Sequence, residues 1–356
     1  MTKIQKIITL FSYCWGHGLI DAACAGAVFS VFSKNFLTYQ DFFYGIIVYN
    51  GIAFGGQFLL GLLVDKYRAP RVTAIIGCIF VAISFLFLNI WTPLVFVLAG
   101  IGNALYHLGG GTVSLNLTPG KTSAPGIFVA PGALGLFLGT FLGKAGNFNF
   151  ILFAILLIVT AVLIYFIKLP KIDYDRKKLV TSEKNENIWD GILLLILFSV
   201  AVRSLVGLAA AFPWKTDFNL LVCLTIAVVL GKAFGGILGD KFGWMRVGIG
   251  ALVLSIPFMI FGENIPILGI VGAFLFQMTM PITLVVLAGI FPGRPAFAFG
   301  LTCLALIVGA IPIFTPYKVL FSASWIMTVF TLASSAAFYF GLKLFFKDFL
   351  KYEKSN

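Results

Sequence analysis

Apolar residues fall in long runs along this chain, and polar residues gather where the runs end. Twelve runs are long enough to cross roughly 30 Å of hydrocarbon as helices. They cover residues 7–32, 42–64, 72–90, 93–117, 125–145, 149–168, 189–213, 218–239, 246–262, 265–290, 297–316 and 322–346. Glycine and proline soften the edges of the fourth, fifth and eleventh. The one long polar segment, Lys168–Asn187, is rich in Lys, Asp and Glu and reads as a solvated linker. The pattern predicts an all-α, polytopic membrane protein of twelve transmembrane helices. Six helices would form a bundle over 1–168, a linker would follow over 169–188, six more would form a bundle over 189–346, and a tail would close the chain over 347–356.

Composition strengthens that picture. Hydrophobic residues make up 60% and charged residues 11%, with mean hydropathy +1.04, against about 45–50% and 25% in soluble domains. The net charge of +12 does not point to nucleic acid, because the basic residues sit in short loops and tails beside spans. Nineteen Lys and Arg fall on the side of the N-terminus. Four fall on the other side: Lys34, Lys144, Lys215 and Lys318. The positive-inside rule therefore places both termini, the linker and the tail in the cytoplasm and the protein in the cell (inner) membrane. All five cysteines lie inside apolar runs, so no disulfide framework is expected. The first run lacks a cleavage site and is expected to remain as the first span.

A repeat organises the chain. Gly61-Leu-Leu-Val-Asp65-Lys66-Tyr-Arg68-Ala-Pro-Arg71 returns as Gly236-Ile-Leu-Gly239-Asp240-Lys241-Phe-Gly243-Trp-Met-Arg246, with the two aspartates 175 residues apart. The same offset superimposes Gly56 on Gly231, and Pro119-Gly120-Lys121 matches Pro292-Gly293-Arg294 at an offset of 173. A fixed offset near half the length marks an internal duplication. Each copy resembles motif A of the major facilitator superfamily, G-x-x-x-D-R/K-x-G-x-R/K-R/K. The first copy departs from it with Arg68 in place of the glycine, and the second keeps Gly243. The resemblance implies two pseudo-symmetric six-helix bundles working by alternating access, with Asp65, Arg71, Asp240 and Arg246 as a cytoplasmic latch of the outward-open state. A plainer reading of the stretch is a topology signal with a tight turn.

Few ionisable residues lie inside the runs: His17, Asp21, His107, Arg203 and Lys232. Charge at membrane depth costs about 2.5–3.5 kcal/mol on insertion scales, so each such group is expected to face a cavity or a partner. Cys14, His17, Asp21 and Cys24 share one helical face. In the superfamily the first, fourth, seventh and tenth spans line the central cavity. The resemblance therefore implies that His17, Asp21, His107 and Arg203 stand where substrate sits, with Gln277 and Thr279 joining them from span ten. Asp21 is the expected proton carrier, tuned by His17 or His107, and a structural pair joining spans one and four is the alternative. Arg203 and Lys232 outnumber the one in-span carboxylate and favour an anionic substrate. The alternative is that Arg203 neutralises Asp21 while Lys232 snorkels. The Gly109–Gly111 run and Pro281 are expected to break helix regularity as hinges or as binding backbone, with close packing as the other reading.

No enzyme is expected: there is no H-E-x-x-H and no phosphate-binding loop, and the chain has two histidines in all. His17, His107 and Asp21 could make a facial metal site in principle, but their apolar surroundings and Arg203 argue against one. No metal and no cofactor is expected, and the partners are a small-molecule substrate, protons and the lipid bilayer, with the chain acting as a monomer. Gly126, Pro131 and Gly135 in span five look like motif C of the family's antiporters, from which Ala130 and Leu134 depart. His17-x-x-x-Asp21 with His107 is similar to the fosmidomycin-resistance-type exporters. The reading is a proton-coupled secondary transporter of a small organic anion, leaning towards export. A multidrug or amphiphile exporter, and an uptake symporter or uniporter of a polar metabolite, stand as alternatives.

Overall fold

The computed structural model describes residues 1–33, 38–176 and 183–353. Lys34, Lys177, Lys178 and Lys354 of the charge count, and part of the expected linker, lie outside them. Among the described residues all regular structure is helical. In chain order the helices are α1 (Lys3–Ser33), α2 (Tyr39–Asn50), α3 (Gln57–Tyr67), α4 (Pro70–Ser84), α5 (Thr92–Leu117), α6 (Ser123–Lys144) and α7 (Phe150–Phe166). They continue with α8 (Glu183–Ala209), α9 (Phe218–Phe242), α10 (Trp244–Phe261), α11 (Pro266–Gln277), α12 (Met280–Ile290), α13 (Pro295–Ala310), α14 (Lys318–Phe321) and α15 (Ser324–Glu353). Among the described residues, eleven helical stretches are long and apolar enough to cross a membrane. The sixth apolar run forms α7, a 17-residue apolar helix.

Local chemistry sets the ends. Thr38, Asn149 and Asp217 each accept a backbone N–H through their side chain at the start of α2, α7 and α9. Proline opens α4 and α11, where its missing N–H has no helical partner to lose. Three differences from the apolar pattern matter. The second run is not one α-helix, because a π-helical turn over Gly51–Gly55 joins α2 to α3. Span ten is divided into α11 and α12 at Met278 and Thr279, ahead of Pro281, whose ring displaces the backbone bond of the preceding turn. By contrast, α5 runs unbroken through Gly109–Gly111. There a Cβ at Gly109 would overlap Pro70 O, and one at Gly110 would lie 2.6 Å from the Phe128 ring. The run is a packing groove and not a break, since backbone in lipid keeps its helical bonds for want of competing water. The end of the expected linker and most of the expected tail are also helical, as the first turn of α8 and the last turns of α15.

The chain divides into two compact units. The first comprises Met1–Pro119, Ile127–Tyr174 and Arg294–Cys303, and the second Gly120–Gly126, Asp175–Gly293 and Leu304–Asn356. In the first unit, α6 lies close along α1. Cβ atoms at Gly135 and Gly139 would overlap the carbonyls of Gly18 and Ala22, and one at Gly143 would lie 2.8 Å from Gly26 O. Small residues let helices approach where lipid offers no hydrophobic drive to association. In the second unit Val202, Val206, Leu252, Met259 and Phe276 make a buried apolar cluster. Large apolar side chains such as Phe11, Ile151, Phe166 and Val319 lie exposed on the helices, as a lipid-facing surface requires.

Candidate functional site

Among the described residues, each unit buries ionisable side chains between its helices. In the first, α1 supplies His17 and Asp21 one turn apart, and α5 supplies Asn103 and His107 one turn apart. His17 Nε2 lies 3.4 Å from Asp21 Oδ2, and His107 Nε2 lies 3.6 Å from Asp21 Oδ1. Asn103 Nδ2 donates to Asp21 Oδ1 at 2.9 Å. Both histidines are fixed from behind: His17 Nδ1 is 2.6 Å from Phe128 O, and His107 Nδ1 is 2.8 Å from Asn103 O. A carbonyl only accepts, so each Nδ1 carries the proton and each Nε2 is turned to the carboxylate. α6 makes the room. At Gly132 a Cβ would lie 2.5 Å from Asp21 Oδ2 and 2.6 Å from His17 Nε2, so any larger residue there collides with the pair. The histidines are buried, and the Asp21 side chain keeps 17% exposure.

The ligating atoms of His17, Asp21 and His107 lie within 4.8 Å of one another, near enough to share one cation. One carboxyl and two imidazoles are groups that can hold protons as well as a cation. The site holds one acid and two bases, and its charge changes by one with each proton gained or lost.

In the second unit Arg203 of α8 is buried. Its Nη1 donates to Thr279 Oγ1, its Nη2 to Thr283 Oγ1 at 3.1 Å, and its Nε to Ser199 O at 3.3 Å. The guanidinium also stands 5.8 Å from the Phe338 ring centroid. Among the described residues of this unit, every partner is neutral. Thr279 is fully buried and spent on this contact. The α11–α12 division is what sets Thr279 and Thr283 beside the arginine. Gln277 packs against Gly231, where a Cβ would lie 3.0 Å from Gln277 Cβ, and Lys232 is the half-buried neighbour of that glycine on α9.

The two aspartates of the repeat cap helix starts. Asp65 Oδ1 and Oδ2 accept the backbone N–H of Ala296 at 3.1 Å and Phe297 at 2.9 Å, in the first turn of α13. Asp240 Oδ1 and Oδ2 accept from the N–H of Thr122 at 2.7 Å and Ser123 at 2.9 Å, at the start of α6. A carboxylate there satisfies free donors and meets the positive end of the helix dipole. Arg71 donates to Ile167 O, and Arg246 is exposed in the first turn of α10. The position where the copies differ has positive φ in both: Arg68 is a left-handed helix cap at φ 54° and ψ 36°, and Gly243 caps its helix at φ 95° and ψ 139°. Arg68 stacks 5.7 Å from the Tyr174 ring centroid. Burial and the Asp65 carboxylate hold the Tyr174 phenol above its usual range, and Arg68 opposes them. Gly120 and Gly293 of the second echo also match, at φ 72° and 77°.

Asn103, Gly132 and Thr283 were not singled out by the sequence. Asn103 and Thr283 lie four residues from His107 and Thr279, a helical spacing that could have found them. Gly132 stands within the motif C stretch but carries no signal of what it faces.

No protein-family model matches the sequence, and no curated protein matches it. Solved structures do. The chain superimposes on FucP, the fucose:proton symporter of E. coli, with TM-score 0.67 at 12% identity, covering 96% of this chain and 99% of that one. It matches the human organic anion transporter MFSD10 with TM-score 0.65 at 13% identity, over 97% and 100%. It matches the proton:xylose symporter XylE with TM-score 0.66 at 13% identity, over 96% of each. These neighbours are transporters and not enzymes, and at such identity the likeness carries the fold. The chain is a multi-pass membrane protein with the fold of the major facilitator transporters.

Proposed function

We propose that this protein is a proton-coupled secondary transporter working by alternating access. The observation that carries this reading is the closed His17–Asp21–His107 cluster, in which both histidines turn Nε2 to one carboxylate. The cluster is the proton site, and Asp21 is its carrier. Arg203, buried among neutral partners of its own unit and held by Thr279, is the fixed cation that receives a small organic anion, and Gln277 and Lys232 are the further side chains proposed to meet it. Asp65 and Asp240, with Arg71 and Arg246 at the start of the helices that follow, act as the cytoplasmic clasps of the cycle. The direction is export by proton antiport, for which the glycine-and-proline pattern of α6 speaks. The chain acts as a monomer in the cell membrane, as two bundles with both termini inside.

A thermal-stability screen of the purified protein tests this, across organic anions, cations and neutral amphiphiles at two pH values. Ligand at a hundredfold excess over Kd stabilises by about 2.7 kcal/mol. Anions are expected to raise Tm in the native protein and not in Arg203→Ala. Stabilisation by neutral or cationic amphiphiles alone would replace this reading with that of a multidrug exporter.

A further inference from the structure

The start of α13 is docked into the first unit by four features. Asp65 holds the N–H groups of Ala296 and Phe297. Gly61 leaves space where a Cβ would lie 2.7 Å from Ala296 O, and Gly300 leaves space where one would lie 2.6 Å from the Gln57 backbone. Ala296 packs, fully buried, with Val64 and Leu108. Two residues beyond the clasp comes Phe299, 4% exposed. Its ring centroid stands 6.4 Å from that of His107 and 6.3 Å from that of Phe128. Phe128 in turn lies 4.6 Å from the His17 ring. The ring is seated over Gly111, one turn past His107 on α5, where any Cβ would overlap it. An apolar ring packed in this way closes the histidine cluster from the end of the unit that carries Asp65.

We propose that Phe299 is the gate of the proton site and that the Asp65 clasp sets it. This rests on the reading of the cluster as the proton site. A phenyl ring offers no donor or acceptor, so no chain of water or side chains can hand a proton past it while it is seated. When the clasp on Ala296 and Phe297 lets go, the first turns of α13 move, Phe299 leaves Gly111, and the cluster meets water from that end. Among the described residues, further titratable side chains on these helices include Cys24 of α1, Tyr49 of α2, Tyr106 of α5 and Cys303 of α13. They are thiols and phenols, so the charge that the gate isolates is that of the cluster itself.

The test uses the full-length protein in liposomes with a trapped pH-sensitive dye, a membrane potential and no solute, so that only proton leak is read. Because an apolar constriction excludes water by dewetting, Phe299→Ala is expected to raise the leak about tenfold. Phe299→Leu, which keeps an apolar plug and the fold, should restore most of the seal. Asp65→Asn should leak less than Phe299→Ala, and the double variant no more than Phe299→Ala alone, since both act on one gate. Adding Asp21→Asn to Phe299→Ala should remove the leak. Native leak rates in Phe299→Ala would overturn the proposal, or, where that variant fails to fold, equal leak in Phe299→Leu and in a Phe299→Ser variant. A leak that survives Asp21→Asn would overturn it too. If the native protein and Asp21→Asn agree in every proton-linked measurement, the failure lies with the proton site and not with the gate.

Discussion

The two buried ionic sites answer the same problem in different ways. The first unit surrounds one carboxylate with two imidazoles and an amide donor, all on α1 and α5. The second sets one guanidinium among two hydroxyls and a carbonyl. The first is built from one acid and two imidazoles, side chains whose charge is set by the protons they hold. The second keeps its charge, because arginine stays protonated in proteins. Dipoles of neutral groups compensate a buried cation less fully than a counter-ion does. The difference lies in the chemistry: one site is made of groups that gain and lose protons, and the other sets a fixed cation among neutral partners of its own unit. The proposed division of labour between coupling ion and anion rests on that contrast.

The comparison breaks most sharply at Gly132. Gly132→Ala places a methyl group on Asp21 and His17, and overpacking of this kind costs about 1–3 kcal/mol. It is expected to lower Tm by several degrees and to abolish proton-driven transport, read as dye-reported proton flux with the anion. Gly250→Ala, with open space around it, is the control and should match the native protein. At the other site, Arg203→Lys keeps the cation but loses the planar fork that meets Thr279 and Thr283. Titration by calorimetry should show the anion's affinity reduced about tenfold in Lys and further in Ala. An Arg203→Lys variant that binds as the native protein does would mean that charge alone suffices.

The smallest effect lies at the two caps. At φ 95° and ψ 139° Gly243 occupies backbone that a Cβ strains, so Gly243→Ala should cost about 1 kcal/mol or more. Arg68 already sits in the left-handed region, at a cost of about 1 kcal/mol. Arg68→Gly relieves that strain but gives up the Tyr174 stack, so its Tm should move by no more than a degree or two either way.

Much of this was legible in the chain. Apolar length marks most of the spans, and scarcity of charge points to His17, Asp21, His107, Arg203 and Lys232, of which the fold brings the first three together. The glycine of the repeat is explained by a helix cap at positive φ, and Arg68 bears the left-handed conformation as an isolated residue. Other features depend on contacts that sequence spacing does not encode. Nothing in Gly132 tells that it faces a carboxylate, and nothing in Phe128 tells that its carbonyl orients a histidine. The π-helical turn at Gly51–Gly55 and the unbroken helix through Gly109–Gly111 show the same limit, since neighbouring helices and not local propensity decide them.

The central claim is that the first unit carries the variable charge, and Asp21→Asn tests it most directly. The measurement is accumulation of a stabilising anion in liposomes driven by a pH gradient, in the native protein and in a variant of unchanged Tm. Loss of gradient-driven accumulation, by about tenfold or more, is the predicted result. Accumulation equal to that of the native protein, with the same dependence on pH, would contradict it.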